Sequence, residues 1–313
     1  MSDGRAFPFQ SQNTFLKAPP HERARPLAVA GIAWDGSVTH RPGARLGPDA
    51  IRRASHMLCD GIHPHFDLSP LPVLTDLGDL PHPQTGLAAM REALAPQLAP
   101  ILAAHHVCWL GGDHSITLPL LRAYRARHGR PLALVHFDAH CDTWEDHFGE
   151  PSGHGTWTRE ALREGLVLPA ATIQVGIRSS GMRTAREYVS EAGGRIFTAR
   201  ELRGCESPAQ LGAVLAEIRS RIAAAGHPPV YLTLDIDCLD PAFAPGTGTP
   251  EPGGLSTAQV LTFLEELHDL PWAGMDCVEV SPPYDHAELT SNAAATFAWT
   301  YLAGRAAKLR HPA

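Results

Sequence analysis

No CxxC pair occurs among the six cysteines of the chain, and several of them lie inside apolar runs typical of strands. This pattern predicts free thiols and a reducing, cytoplasmic location rather than disulfides. No apolar segment follows the polar N-terminus, so no secretory signal is predicted. The most apolar late stretch, residues 293–303, is interrupted by two threonines and is too short to span a bilayer.

An excess of basic charge is also missing. The chain has 26 Lys and Arg against 33 Asp and Glu, which gives a net charge of −7. Proteins that bind nucleic acids or anionic membranes in general carry basic surfaces, so we expect neither partner. Hydrophobic residues make up 44% of the 313 residues, which is typical of a soluble protein with a large core, and the 18 histidines favour metal chemistry.

Apolar runs alternate with segments of helical spacing from residue 26 onward. These runs are continuous rather than interrupted by polar residues, which is typical of parallel strands buried on both faces. No linker or internal repeat divides them. The sequence therefore predicts one α/β domain over residues 26–313, with three layers and a mostly parallel sheet covered by helices on both faces. Residues 1–25 are polar and aperiodic, and we expect them to form an N-terminal arm.

Three stretches rich in metal-binding side chains follow predicted strands. In one of them an apolar run ends in Asp138, His140 and Asp142, at every second position. Successive side chains of an extended chain point to opposite faces, so these three are expected to share a face. Ligands bind at the carboxyl ends of parallel strands, where all three stretches are expected to meet. The other two stretches contribute His114, Asp235 and Asp237.

Each stretch alone has an ordinary structural explanation. The segment GGDH at 111–114 is compatible with a strand-to-helix turn capped by an aspartate, and DIDCLD at 235–240 with a turn of solvated acids. Buried charges at the ends of strands are rarely tolerated without a partner. Three such stretches in one chain therefore favour a shared site.

Together the six side chains provide two imidazoles and four carboxylates. This set contains too much oxygen for a structural zinc site and too much nitrogen for a dedicated calcium site. It suits Mn(II), with iron, cobalt and nickel as competitors. Six ligands exceed what one ion with an open position needs, so two ions bridged by carboxylates are expected, with a water between them that deprotonates near neutral pH.

The motifs resemble those of the ureohydrolase family, which includes arginases and agmatinases, and they are most similar to the agmatinase type. The resemblance covers most of the chain, in the family's order, and its metal-binding motifs are its most specific part. The matching segments are RPGARLGP (41–48), GGDHS (111–115), DAHCD (138–142), GHG (153–155), GIR (176–178), DIDCLDPAFAPGTGTP (235–250) and VEVSPPYD (278–285).

The resemblance implies an arginase/deacetylase-like fold and two Mn²⁺ ions per subunit. It assigns His114 and Asp142 to one ion, His140 and Asp237 to the other, and Asp138 and Asp235 to both. His154 corresponds to a proton-shuttling histidine, and Glu279 to the carboxylate that pairs with the substrate guanidinium. The implied reaction is attack of a bridging hydroxide on the guanidinium carbon, with release of urea and an amine. Asp142 is then placed to carry a proton to the leaving nitrogen.

Residues 143–152 are expected to select the substrate. The Asn and Ser pattern that arginase-type enzymes offer to an amino-acid carboxylate is missing here. The acids Glu145, Asp146 and Glu150 suit a cationic tail such as the ammonium of agmatine, which would yield putrescine, although they are also compatible with simple solvation. A guanidinobutyrase or another guanidino-acid ureohydrolase stays an alternative.

A second alternative is a non-catalytic, metal-binding relative. The presence of all six ligands, His154 and Glu279 argues against it. Deacetylase-type hydrolases have the same architecture by resemblance, but they use a single zinc ion and would not retain six ligands. The resemblance also implies a homo-oligomer, a trimer or hexamer, acting on a small-molecule guanidine substrate.

Overall fold

The computed structural model describes residues 13–310, and its centre is a sheet of eight strands. They are β1 (Leu27–Ile32), β2 (Leu74–Asp79), β3 (His106–Gly111), β4 (Leu132–Phe137), β5 (Val167–Ile177), β6 (Arg195–Thr198), β7 (Val230–Asp235) and β8 (Trp272–Val278). The strands lie in the order β2-β1-β3-β8-β7-β4-β5-β6, and every neighbouring pair is parallel.

Nine α-helices connect or follow these strands in the described part of the chain. They are α1 (Gly47–Ala54), α2 (Leu87–Ala104), α3 (Thr117–His128), α4 (Trp157–Arg163), α5 (Arg183–Arg186), α6 (Tyr188–Glu191), α7 (Pro208–Ala224), α8 (Thr257–Glu266) and α9 (Leu289–Arg310). None of the helices in residues 13–310 has the length and apolar character needed to cross a membrane.

Every residue of β4 and β7 is buried, because helices cover both faces of the sheet. One apolar core lies between the sheet and α1, α7, α8 and α9, and includes Val135 and Phe137. The other lies against α2, α3 and α4, and includes Leu134 and Trp109. Neighbouring residues of one strand therefore enter different cores, as the alternation of side chains requires. The three-layer parallel α/β fold predicted from the continuous apolar runs is confirmed.

The N-terminal arm expected over residues 1–25 lies partly outside the described residues, which begin at 13. The described part packs against the domain. Phe15 is fully buried, and its backbone N–H donates to Asp76 Oδ2 at 2.8 Å. The same oxygen accepts a hydrogen bond from Arg52 Nε, also at 2.8 Å. Residues 15–18 therefore contribute to the core, which their polar surroundings in the sequence did not predict.

The order of the strands determines where the site forms. The first strands build one side of the sheet, β4 to β6 build the other, and β8 and β7 lie between β3 and β4. The carboxyl ends of β3, β8, β7 and β4 are therefore side by side at the centre of one edge. A parallel sheet binds ligands at such a reversal of strand order. The six predicted metal ligands lie at the ends of β3, β4 and β7, and Glu279 follows β8.

His63 is a buried histidine far from that edge, and it makes the fold sensitive to acid. Its ring packs against Phe66 and Trp299, and Nε2 lies 3.1 Å from Thr300 Oγ1. Burial, with a smaller effect from the charge of His65, lowers the pKa of His63 to about 4. An unfolded histidine titrates near pH ~6.5. The stability that neutral His63 provides is therefore present above about pH 6.5 and lost as the pH falls through about 4.

We therefore expect His63→Gln to flatten the acid limb of the stability profile. Between pH 7 and pH 4.5 the parent chain should lose about 2 kcal/mol more free energy of unfolding than the variant, since only the parent has the His63 imidazole, which takes up a proton on unfolding. Urea unfolding of the metal-free chains at both pH values measures this difference. The exposed His286, changed to Gln, is the control and should behave as the parent. Equal losses in all three chains would contradict the prediction.

Candidate metal centre and active site

The segment after β4 supplies three of the predicted ligands, and the structure brings them together. Asp138 Oδ1 accepts a hydrogen bond from the backbone N–H of His140 at 2.6 Å and lies 3.3 Å from His140 Nδ1. Asp142 adopts a φ of +51°, a left-handed conformation that is uncommon outside glycine. The chain is thus not extended as far as Asp142, and a turn rather than strand alternation directs that carboxylate toward the other ligands.

His114 lies at the meeting point of three aspartates. Its Nδ1 atom is 3.1 Å from Asp138 Oδ2, 3.1 Å from Asp235 Oδ2 and 3.2 Å from Asp142 Oδ2. Its Nε2 atom lies 2.8 Å from Thr233 Oγ1, which fixes the ring from behind. One potential metal-binding group therefore forms around His114, Asp138 and Asp142.

A second potential group consists of Asp138, His140 and Asp237. His140 Nδ1 is 3.0 Å from Asp237 Oδ2, and the other oxygen of Asp237 accepts the backbone N–H of Ala139 at 3.0 Å. Asp138 belongs to both groups, as expected for a bridging carboxylate. Asp235 contacts His114 through one oxygen and accepts the backbone N–H of Asp237 through the other at 2.8 Å.

The charges of these groups fit divalent cations. Burial, followed by the charge of Asp138, raises the pKa of Asp142 to about 8. Burial and the charge of Asp237 likewise raise the pKa of Asp235. Carboxyl groups packed this closely away from water cannot all ionise without nearby positive charge. Mixed carboxylate and imidazole donors around one shared aspartate suit two ions such as Mn²⁺.

Glu279 follows β8 and lies beside these groups. Its φ is +63°, which turns the side chain back toward β3. Its Oε1 atom accepts the backbone N–H of His114 at 2.9 Å and lies 2.8 Å from His154 Nδ1. Its Oε2 atom is buried and has no hydrogen-bond partner in the described residues. An unpaired buried carboxylate oxygen is costly, which indicates that a cationic group belongs next to it.

His154 joins Glu279 to the surface loop at Thr39. Its Nε2 atom accepts the backbone N–H of Thr39 at 3.1 Å and lies 3.0 Å from the hydroxyl of the same residue. Burial lowers the pKa of His154, but the charge of Glu279, the hydrogen bond to it and the charges of Asp113 and Asp142 together outweigh burial and raise the pKa to about 9. The ring nitrogen can thus accept from the backbone N–H or donate to the hydroxyl. His154 has a hydrogen-bond partner in either protonation state.

A cavity of about 440 Å³ opens over these side chains. This volume suits a small-molecule ligand. Its lining includes predicted ligands, four residues of the loop after β4 and two serines after β5: Thr39, His140, Asp142, Trp144, Asp146, His147, Phe148, His154, Gly155, Ser179, Ser180, Asp235 and Thr249.

Comparison with known proteins shows which family has this fold and these motifs. The Arginase family model matches residues 25–304. This chain belongs to the arginase family. It is 42% identical to an agmatinase from Chromobacterium violaceum over 285 residues, which are 87% of this chain and 81% of that protein. The resemblance in the sequence motifs is thereby confirmed.

Solved structures agree with this membership. A hypothetical agmatinase from Burkholderia thailandensis superposes with a TM-score of 0.83 at 38% identity, covering 93% of this chain and 90% of that one. A proclavaminate amidino hydrolase from Streptomyces clavuligerus gives a TM-score of 0.84 at 38% identity, covering 94% and 97%. Both solved structures thus match this chain over more than nine-tenths of its length.

Residues 143–152 of this arginase-family chain place their three acids differently from one another. Of Glu145, Asp146 and Glu150, the cavity is lined by Asp146. Glu145 instead pairs with Arg159 at 2.5 Å. Glu150 exchanges backbone hydrogen bonds with His147 at the end of the loop. The acids are adjacent in sequence, but the loop turns between them and directs one toward the cavity.

Sequence reasoning missed His136, which belongs to the first potential metal group. Its Nε2 atom lies 2.7 Å from Asp138 Oδ2, and its Nδ1 atom faces the amide of Gln174 at 3.1 Å. The same amide nitrogen donates to the carbonyl of Cys141 at 2.8 Å, which fixes its orientation. Nδ1 is therefore an acceptor, and Nε2–H donates to Asp138. His136 stands two residues before Asp138, as His140 stands two residues after it. The same alternation along the strand could therefore have identified His136.

We expect Gln174→Leu to weaken metal binding about 10- to 100-fold without unfolding the chain. Loss of a side chain that orients the groups around a metal through hydrogen bonds typically has an effect of this size. The amide oxygen of Gln174 has no partner in the described residues, so the change removes mainly the donor to His136 and Cys141. Calorimetric titration of metal-free protein with Mn²⁺ measures the affinity. Gln97→Leu, on a helix surface away from the site, is the control. Unchanged affinity in the first variant would show that His136 is oriented without Gln174.

Proposed function

We propose that this chain hydrolyses the guanidinium group of agmatine to putrescine and urea, using two Mn²⁺ ions. The observation that carries the proposal is the buried, unpaired Oε2 of Glu279 next to a histidine–aspartate cluster. A planar cation is the natural partner of that oxygen, because charge-assisted hydrogen bonds orient guanidinium groups on carboxylates. The agmatinase from Chromobacterium violaceum supports the choice of agmatine.

The metal ligands are proposed as the sequence assigns them. One ion would be held by His114 and Asp142, the other by His140 and Asp237, with Asp138 and Asp235 shared. When bound, the pair would provide the positive charge that makes water a nucleophile near neutral pH. Metal analysis of active protein tests the identity of the ions against iron, cobalt and nickel.

The side chains of the chain supply the remaining catalytic functions. Glu279 holds the guanidinium so that its carbon faces the attacking water. Asp142 accepts a proton from that water as the new C–O bond forms, which gives a tetrahedral intermediate. The intermediate then collapses as the C–N bond to the alkyl nitrogen breaks. That nitrogen leaves with the proton carried by Asp142, and His154 exchanges a further proton with solvent through Thr39. Guanidinium and water are thereby converted into urea and an amine.

Asp146 is the proposed partner of the substrate's far end. It lines the same cavity as the metal groups and offers a carboxylate to the ammonium of agmatine. The alternative is a guanidino acid such as 4-guanidinobutyrate, whose carboxylate could accept a hydrogen bond from a ring N–H of His147, which lines the same cavity. Burial, followed by the charge of His154, lowers the pKa of His147, so this ring provides no positive charge near neutral pH. A relative of similar identity is a proclavaminate amidino hydrolase, so the family accommodates more than one compound.

Steady-state kinetics on agmatine, arginine and 4-guanidinobutyrate, with urea release as the readout, distinguish these possibilities. Agmatine should be preferred, and arginine should turn over far more slowly. Asp146→Asn should raise KM for agmatine but not for 4-guanidinobutyrate, while Glu150→Gln, in the same loop, should change neither. A preference of the parent for either rival would overturn the agmatine assignment. Absence of urea in the presence of bound Mn²⁺ would favour the non-catalytic relative.

Gly248 leaves space beside Glu279 that we assign to the guanidinium. A Cβ at this position would lie 3.4 Å from Glu279 Oε2 and 3.2 Å from the carbonyl oxygen of Arg41. We expect Gly248→Ala to raise KM about tenfold or more by crowding the substrate, a cost of roughly 1.4 kcal/mol, with metal content unchanged. Gly212→Ala, whose Cβ would meet no atom within 4 Å, is the control. An unaltered KM would remove Gly248 from the binding site.

A cytoplasmic location and a homo-oligomer, a trimer or hexamer, complete the proposal. All six cysteines lie in the described residues and are free, which suits a reducing compartment. Light scattering of the metal-loaded protein measures the oligomeric state, and a monomer would refute this part.

A further inference from the structure

A second cavity lies next to the catalytic one, at the ends of β5 and β6. Its volume is about 750 Å³, and four arginines contribute to its lining: Arg178, Arg186, Arg200 and Arg203. Ser179 lines both cavities, so the two cavities adjoin at this residue. Nothing in the proposed reaction uses this second cavity.

The arginines differ in how their guanidinium groups are satisfied. Arg178 donates to backbone carbonyls, including that of Asp237 at 2.7 Å, and so holds the segment after β7. Arg178 makes no ion pair in the described residues, and its charge is partly offset by Asp240, whose carboxylate accepts the backbone N–H groups of Gly253 and Gly254 nearby. Arg186 donates through Nε to the carbonyl of Gly181 at 2.8 Å and has no ion pair in the described residues.

Arg200 and Arg203 have neither an ion pair nor a side-chain hydrogen bond within residues 13–310. The one acid in the lining, Glu187, pairs with Arg183 at 2.7 Å. The cavity is therefore strongly positive, although the chain as a whole has a net charge of −7. Like charges gathered in one concavity are unfavourable unless an anion compensates them.

We propose that this cavity binds a small, multiply charged oxyanion of the phosphate type. Guanidinium groups match phosphate oxygens with paired N–H donors, and three of these groups have N–H donors to spare. The hydroxyl of Ser190 on the same wall offers a further donor. The volume suits a small phosphorylated molecule rather than a macromolecule.

The position of the cavity places such a ligand near the metal centre. The carbonyl of Glu251 accepts hydrogen bonds from Arg178, the shorter at 2.6 Å. The carboxylate of Glu251 accepts a hydrogen bond from Ser179 at 3.0 Å and lies 4.0 Å from His140 Nε2. One short segment thus contacts both the arginine cavity and a predicted metal ligand.

Calorimetric titration of the metal-loaded protein with inorganic phosphate, at constant ionic strength set with chloride, tests the proposal. Sulfate is the second probe, since it has a similar shape and two negative charges. The parent should show saturable binding of one anion per chain. The double variant Arg200→Gln, Arg203→Gln should bind at least tenfold more weakly, because it loses two charge-assisted contacts. Its metal content should match that of the parent.

The matched control is Arg23→Gln, Arg163→Gln, which removes the same charge from exposed positions elsewhere and should retain the parent's affinity. Three outcomes would overturn the proposal: no saturable binding beyond that of chloride, equal affinity in both double variants, or a change in oligomeric mass of the first variant with phosphate affinity unchanged. The last outcome would show that the arginines contact another copy of the chain.

Discussion

Asp138→Asn should remove at least one of the two metal ions and reduce urea release more than about 1,000-fold. The carboxylate lies within hydrogen-bond distance of His114, His136 and His140. Burial raises its pKa, but hydrogen bonds from these histidines outweigh burial and hold the pKa well below its usual range. Asparagine has nearly the same shape but no charge to share between two cations. A loss of about 4 kcal/mol in transition-state stabilisation corresponds to this factor.

Metal analysis and kinetics on the same preparation measure both consequences. Asp269→Asn, an exposed position remote from the site, is the control and should retain both ions and full activity. Retention of two ions by the Asp138 variant would show that the bridging assignment is wrong, even if activity were low.

Glu279→Gln should lower kcat/KM about 100- to 10,000-fold while both metal ions remain bound. Glutamine keeps an oxygen that can accept from the backbone N–H of His114, so the loop should hold its position. The substrate guanidinium then loses its ionic partner in a buried place. Removing one member of a buried charge pair costs roughly 3–5 kcal/mol.

The metal content of this variant separates its two possible roles. With Mn²⁺ retained and kcat/KM reduced, Glu279 acts on the substrate. Loss of metal together with activity would mean that Glu279 supports the ligands through His114 instead. Glu288→Gln, an exposed acid after the same strand, should match the parent and serves as the control.

Local patterns in the sequence were sufficient to predict the parallel α/β fold and the convergence of His114, Asp138 and Asp237. The strands are recognisable because they are apolar over their whole length, and the ligands because they follow those strands directly. The role of Glu279 came from the family resemblance, since a single glutamate after a strand carries no chemical signal of its own.

Other features depend on contacts between distant residues and could not be predicted locally. The turn that redirects Asp142 appears as a positive φ only in the folded chain. Which of three neighbouring loop acids reaches the cavity depends on the ion pair between Glu145 and Arg159, which the sequence does not specify. The burial of Phe15 depends on Asp76, which accepts its backbone N–H from β2.

The order of the strands has a consequence for how the chain matures. Before β7 and β8 are synthesised, β1 to β3 can form one group of paired strands and β4 to β6 another. No strand yet pairs with both groups. Only when β7 and β8 insert between those groups of strands do Asp235 and Glu279 arrive beside His114, and Asp237 beside His140. A nascent chain that stops before residue 230 therefore has one proposed metal ligand after β3, His114, and three after β4, Asp138, His140 and Asp142, on strands that are not yet paired. The complete set of proposed ligands assembles only in the final third of synthesis.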